Sequence, residues 1–153
     1  VFECDESYFG GVRKGKRGRN APGKVCMFGI LKRGGQVYAL PVADARAMTL
    51  LTALRTRGLA DSVVCTGSRA SYNILDVSGF KHHRVDHQHH FVGRRGNHIN
   101  GIENSWNQPK RVLRRYNGIA RKHFFLFPKE CEFRFNYGTP RQQLATLRTW
   151  MGT

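Results

Sequence analysis

Two carboxylates occupy settings suited to metal-assisted chemistry on a phosphodiester: Asp5, in ECDESYFGG, and Glu103, in NHINGIENSW. Nucleic-acid phosphoryl transfer commonly uses two divalent ions held by carboxylates. One ion activates the attacking oxygen and the other stabilises the leaving oxygen. Mg²⁺ or Mn²⁺ takes hard oxygen ligands and keeps several waters, so two or three carboxylates suffice. Lys110 stands seven residues beyond Glu103. On a helix that is two turns along the same face, within reach of the same nucleic-acid strand.

Such a site needs elements that bring residues 5 and 103 together. Residues 1–9 read as a strand ended by Gly10-Gly11, and the run VCMFGILK (25–32) as a strand buried on both faces. A turn at Gly34-Gly35 leads to a third strand over 36–42, completing an antiparallel meander. Asp44 is placed to cap a helix over 45–57, with Ala47, Leu50, Leu51 and Leu54 on one face and Gly58 as its stop. A fourth strand (61–66), a helix (68–77) and a fifth strand (80–86) follow. A His- and Arg-rich loop then leads to a long helix over 97–116. The tail from Ile119 to Met151 reads as helical, with breaks near Pro128 and at Gly138–Pro140.

The order β-β-β-α-β-α-β-α predicts an α/β (α+β) ribonuclease H-like fold in one domain. Its mixed five-stranded sheet would carry helices on both faces, with a helical C-terminal extension over 117–153. In that fold the metal-binding acids come from the first strand, the end of the fourth strand, and a helix after the fifth. Asp5 and Glu103 fill the first and third places. The second falls in VVCTGSRASY, where Gly67 stands in place of an acid.

With these stretches in view the chain resembles the catalytic domain of ISXO-type insertion-sequence transposases, of the DDE superfamily. The resemblance rests on DESYFGG, FGILKRGG, PVADA, TGSRASY, NHINGIENSW with its trailing Lys110, and EFRFN, in that order along nearly the whole chain. It implies metal-dependent DNA cleavage and strand transfer, with Asp5 and Glu103 as metal ligands and Lys110 holding the DNA backbone or an end nucleotide. It also implies double-stranded DNA (element ends and target) as partner, a homo-oligomer on DNA, and a cytoplasmic, DNA-associated protein of a bacterial host. The family's N-terminal DNA-binding segment does not precede Asp5 here, and the start at Val1 predicts a domain cut from a longer product.

Gly67 departs from the family pattern. It removes a carboxylate that two metals would share, so the expected Mg²⁺ or Mn²⁺ binding is weakened and inactivity is expected. A decayed copy, an engineered change, or substitution by another acid would each account for it. Asp61 is a poor substitute, about 20 Å away at the other end of the strand, and Asp76 lies far along a helix. A catalytically dead DNA-binding remnant is the alternative reading, and an RNA-binding protein on the same scaffold is a third.

Charge points to a polyanionic partner: 26 Lys+Arg against 10 Asp+Glu give +16, with 40% hydrophobic residues arguing against a disordered basic tail. The expected DNA contacts are Arg13, Lys14, Lys16, Arg17, Arg19 and Lys24 in a flexible loop (10–24), Arg94 and Arg95, and a helical patch of Lys110, Arg111, Arg114 and Arg115. Trp106 reads as core or helix packing, or else as a base-stacking surface. His82, His83, His87, His89, His90 and His98 lack fixed ligand spacing, so zinc is a minor reading. His87 and His98 stand where the family often has His near its site. Cys4, Cys26, Cys65 and Cys131 show no CxxC and read as reduced, buried thiols. No run approaches the roughly 18 apolar residues of a membrane span.

Overall fold

The first strand owes its place to alternation. Along β1 (Phe2–Phe9), Phe2, Cys4 and Tyr8 pack into one hydrophobic cluster, while Phe9 packs into another on the opposite face. Residues two apart share a face, so Asp5 lies on the side of Phe9. β2 (Val25–Lys32) reads as a continuous apolar run because both of its faces are covered: Cys26, Phe28 and Ile30 join the first cluster, Met27 and Leu31 the second. The computed structural model describes residues 1–10, 23–57, 61–85, 98–116 and 119–152.

β3 (Val37–Val42) completes the meander, and β4 (Val63–Gly67) and β5 (Lys81–Val85) add parallel strands on the other side of β1. The sheet order is β3-β2-β1-β4-β5, a mixed five-stranded sheet as the element order predicts. α1 (Ala47–Arg55) and a 3₁₀ helix (Ala70–Val77) cover the face of Cys4. α2 (Asn100–Leu113) and α3 (Leu126–Asn136) contribute to the opposite face, that of Asp5. α4 (Pro140–Met151) ends the described chain. It opens with a Thr139/Gln142 capping box and closes at left-handed Gly152. Trp150 holds it to α3 through ring contacts with Phe133 and Tyr137 at 5.6 and 5.5 Å.

Several expectations are corrected. The second helix is 3₁₀, not α, and begins at Ala70. Asp44 does not cap α1, whose N-cap is Arg46; its carboxylate accepts from the Arg46 amide and the Thr49 hydroxyl instead. α2 is shorter than 97–116 and carries Pro109 inside it. Arg114 and Arg115 therefore sit in the turn beyond the helix, exposed as expected but not helical. Pro128 falls in the first turn of α3, where its missing N–H costs nothing, so it interrupts no helix. All four cysteines are buried and free, three on strands and Cys131 on α3.

The seat of α2 on the sheet is cut by glycine. A Cβ on Gly29 of β2 would stand 2.5 Å from a Trp106 ring carbon and 2.8 Å from Ile102 Cδ1. Gly29→Ala is therefore expected to lower unfolding free energy by about 1–3 kcal/mol through overpacking. Urea denaturation reads this directly, and an unchanged midpoint would refute the close approach.

Candidate metal and nucleic-acid cleft

β1 and β4 run parallel with Cys4 opposite Thr66, so one further step along both strands sets Asp5 beside Gly67. On β4, Cys65 belongs to the cluster under α2, and a Cβ on Gly67 would meet Ile99 of that same cluster. Position 67 thus points to the face that carries Asp5. α2 crosses this face and brings Glu103 and Lys110 with it. Asp5, Glu6, Ser7, Tyr8, Lys24, Glu103, Trp106, Asn107 and Lys110 line one cleft of about 630 Å³.

The electrostatics at Asp5 are unusual for a surface carboxyl. Burial, then the neighbouring charges of Glu6 and Glu103, push its pKa up to about 7, with the Glu6 backbone amide and the Lys110 ammonium pulling the other way. Three acids, Asp5, Glu6 and Glu103, line the cleft beside Lys24 and Lys110, and the charges of Glu6 and Glu103 act against ionisation of Asp5. A divalent ion would relieve that repulsion, so hard oxygen donors and local charge fit one such ion. Among the described residues no group of three or more His, Cys, Asp or Glu is placed to hold a metal, so the donor set is one carboxylate short of the pattern expected.

Asp5, Glu103, Lys110 and Lys24 are brought together in this cleft. Arg111, Arg114 and Arg115 are exposed on and just beyond the end of α2. Arg13, Lys14, Lys16, Arg17 and Arg19 lie outside the described residues, as do Arg94, Arg95, His87, His89, His90 and Gly58. Trp106 is buried against Phe9, with ring centroids 5.9 Å apart, so packing is its main role even though it borders the cleft. No described helix is long and apolar enough to cross a membrane.

Sequence reasoning passed over the buried charges around the cleft. Glu6 accepts from the Tyr72 hydroxyl at 2.6 Å and from Arg69, which also donates to the Tyr8 hydroxyl at 3.1 Å. Two residues of TGSRASY therefore hold the strand that carries Asp5. The signal was present as a motif without an assigned role. His82 is buried between the Thr66 hydroxyl (2.7 Å) and Asp76 (2.6 Å), and Asp76 also takes Arg84. Burial, and then the neighbouring His83, hold the His82 pKa below its ordinary range. Asp76 is thus linked through His82 to the strand end at Thr66.

Comparison with known proteins gives a family and a fold. The ISXO2-like transposase domain matches residues 1–136, which leaves α4 outside the matched span. An uncharacterised transposase-like protein of Haemophilus influenzae is 43% identical over 113 residues, covering 74% of this chain and 91% of that protein. Among solved structures, the catalytic core domain of BIV integrase gives a TM-score of 0.58 at 11% identity, over 98% of this chain and 97% of that one. A chain in the simian T-cell lymphotropic virus intasome complex with PP2A regulatory subunit B56 gamma gives 0.52 at 10% identity, over 90% of this chain and 48% of that one. At these identities the likeness is one of fold, and the fold is ribonuclease H-like.

Proposed function

We propose, from the premise that this chain belongs to the ISXO2-like transposase family, that its cleft is a transposase-type site for phosphoryl transfer on DNA, lacking one of its three carboxylates. The observation that carries this reading is the meeting of Asp5 and Glu103, 98 positions apart in sequence, with Lys110 in one cleft on the face to which position 67 points. Asp5 and Glu103 would hold Mg²⁺ or Mn²⁺. When bound, such an ion supplies Lewis-acid stabilisation of charge at the phosphorus and its oxygens. Lys110, two turns along α2 from Glu103, holds the DNA backbone or an end nucleotide beside the acids. Lys24 adds a second cation to the same cleft, and the exposed Arg111, Arg114 and Arg115 extend the path for phosphates. Double-stranded DNA, as element ends and target, and a homo-oligomer assembled on it are the partners this reading implies.

A second reading, a DNA-binding remnant without chemistry, is favoured by Gly67 itself. Supercoiled plasmid separates the two. Gly67→Asp is expected to nick it in Mn²⁺, whereas the natural chain and Gly67→Asp combined with Asp5→Ala are not. All three should bind DNA with an affinity that falls steeply with salt. Salt-dependent binding without nicking by Gly67→Asp would leave the remnant. Equal affinity for RNA and DNA with no metal effect would instead favour an RNA-binding scaffold.

A further inference from the structure

We infer that Glu3 is a positioning residue for the cleft: it anchors the first turn of α2 to the strand that carries Asp5, and so sets where Glu103 stands. This rests on the proposed reading of the cleft. Glu3 is fully buried two residues before Asp5. The side chains of residues 3 and 5 leave the same face of β1, roughly 7 Å apart.

The N-cap of α2, Ile99, offers no capping side chain. An exposed helix would satisfy its first amides with a Ser, Thr, Asp or Asn at that place. Here the acceptor comes from 99 positions away: the Ile102 amide donates to Glu3 Oε2 at 3.1 Å. Ile102 is the third residue of α2, the position a capping oxygen reaches, and a carboxylate also suits the positive end of the helix dipole. Glu103 is the next residue along.

The other oxygen is held as firmly. Arg33, in the β2–β3 turn, donates its Nε to Glu3 Oε1 at 2.9 Å. Its Nη2 donates to the His98 carbonyl at 2.7 Å, just ahead of α2. His98 Nδ1 lies 3.2 Å from the same Glu3 oxygen, so this histidine borders the anchor. Gly101 makes the approach possible, since a Cβ there would sit 2.9 Å from Glu3 Oε2 and 2.5 Å from a Leu31 methyl. Arg33 of FGILKRGG, Glu3 beside DESYFGG, and His98, Gly101 and Ile102 of NHINGIENSW thereby form one device. Its output is the register of Glu103 against Asp5. Glu3 itself is sealed from the cleft and touches no substrate, so its part is indirect.

The test uses Gly67→Asp as background and compares Glu3→Met with Glu3→Gln, which keeps an acceptor oxygen. One readout is amide hydrogen exchange at Ile102 and Glu103, with Leu50–Leu54 of α1 as internal reference. The other is Mn²⁺ affinity by calorimetry. Glu3→Met is expected to lose about tenfold or more in protection at Ile102 and about tenfold in Mn²⁺ affinity, with α1 unchanged. Glu3→Gln is expected to recover most of both. Should Glu3→Met fail to fold, Arg33→Met, which alters a partly exposed side chain, reads the same two quantities with a smaller loss. Lost protection at Ile102 with undiminished Mn²⁺ affinity would overturn the positioning role, as would protection that survives in Glu3→Met. If the Gly67→Asp background binds no Mn²⁺ at all, the metal reading of the cleft falls. Exchange then decides alone: loss of protection at both Ile102 and Glu103 supports the anchor, and retention overturns it.

Discussion

Gly67→Asp is expected to tighten Mn²⁺ binding by roughly 100-fold, from a site held by two carboxylates to one held by three. The backbone already allows it. Gly67 closes β4, paired with Val85 of β5, in extended conformation and without a positive φ. A Cβ there would meet only Ile99 Cδ1, at an ordinary 3.8 Å. The new carboxylate would leave the strand toward α2, beside Asp5 and across from Glu103. Gly67→Asn separates charge from shape and should recover only a small part of the gain. Adding Asp5→Ala should abolish it. Calorimetry on the four chains is sufficient. Equal affinity in the natural chain and in Gly67→Asp would show that position 67 is no ligand position, and that the sheet-end geometry has been misjudged.

Asp5→Asn is expected to stabilise the metal-free protein at pH 8, by on the order of 2–4 kcal/mol, and to have almost no effect at pH 4. The folded pKa of Asp5 is raised from 3.8 to about 7. Well below pH 3.8 the carboxyl is protonated in both folded and unfolded chains and no penalty arises; at pH 4 the unfolded group is only about half ionised, so the penalty is still small. Between pH 4 and 7 the unfolded chain ionises freely while the folded one resists, so stability falls as pH rises. Above pH 7 both are ionised and the penalty is complete. Because Asp5 retains some solvent exposure, the lower part of the range is the better guide. Urea unfolding at the two pH values measures the difference directly. A stabilisation equal at pH 4 and pH 8 would mean that shape, not charge, separates Asp from Asn. The destabilisation is charge repulsion and burial acting on one carboxyl, and any ligand that neutralises Asp5 would relieve it.

The strands were legible because their reasons are local. β2 is apolar on both faces and β1 alternates, and those patterns survive without knowledge of neighbours. Helix ends were less legible. The reading of 97–116 overran α2 at both sides; at the N-terminus the reason is that the acceptor is Glu3 rather than a nearby capping residue. The 3₁₀ geometry of Ala70–Val77 was equally hidden, since the apolar spacing of Ala70, Ile74 and Val77 suits an α-helix as well.

Sequence by itself determined which residue types were available for chemistry: Asp5 on a strand, Glu103 and Lys110 two helical turns apart, a glycine at position 67 where the family resemblance leads one to expect an acid, and a net charge of +16. Tertiary structure alone decided where three of the ten acids spend their charge. Glu3, Asp5 and Glu6 lie within four consecutive positions; alternation puts Glu6 on the face opposite Glu3 and Asp5, and the fold gives each of the three different work. Asp5 borders the cleft with its proton held tightly. Glu3 binds Arg33 and the Ile102 amide, 30 and 99 positions away. Glu6 binds Arg69 and Tyr72, 63 and 66 positions away. The physical reason is range. Hydrophobic period and turn chemistry act over a few residues and are written along the chain, whereas a buried charge is tolerable only beside a partner that the fold must deliver.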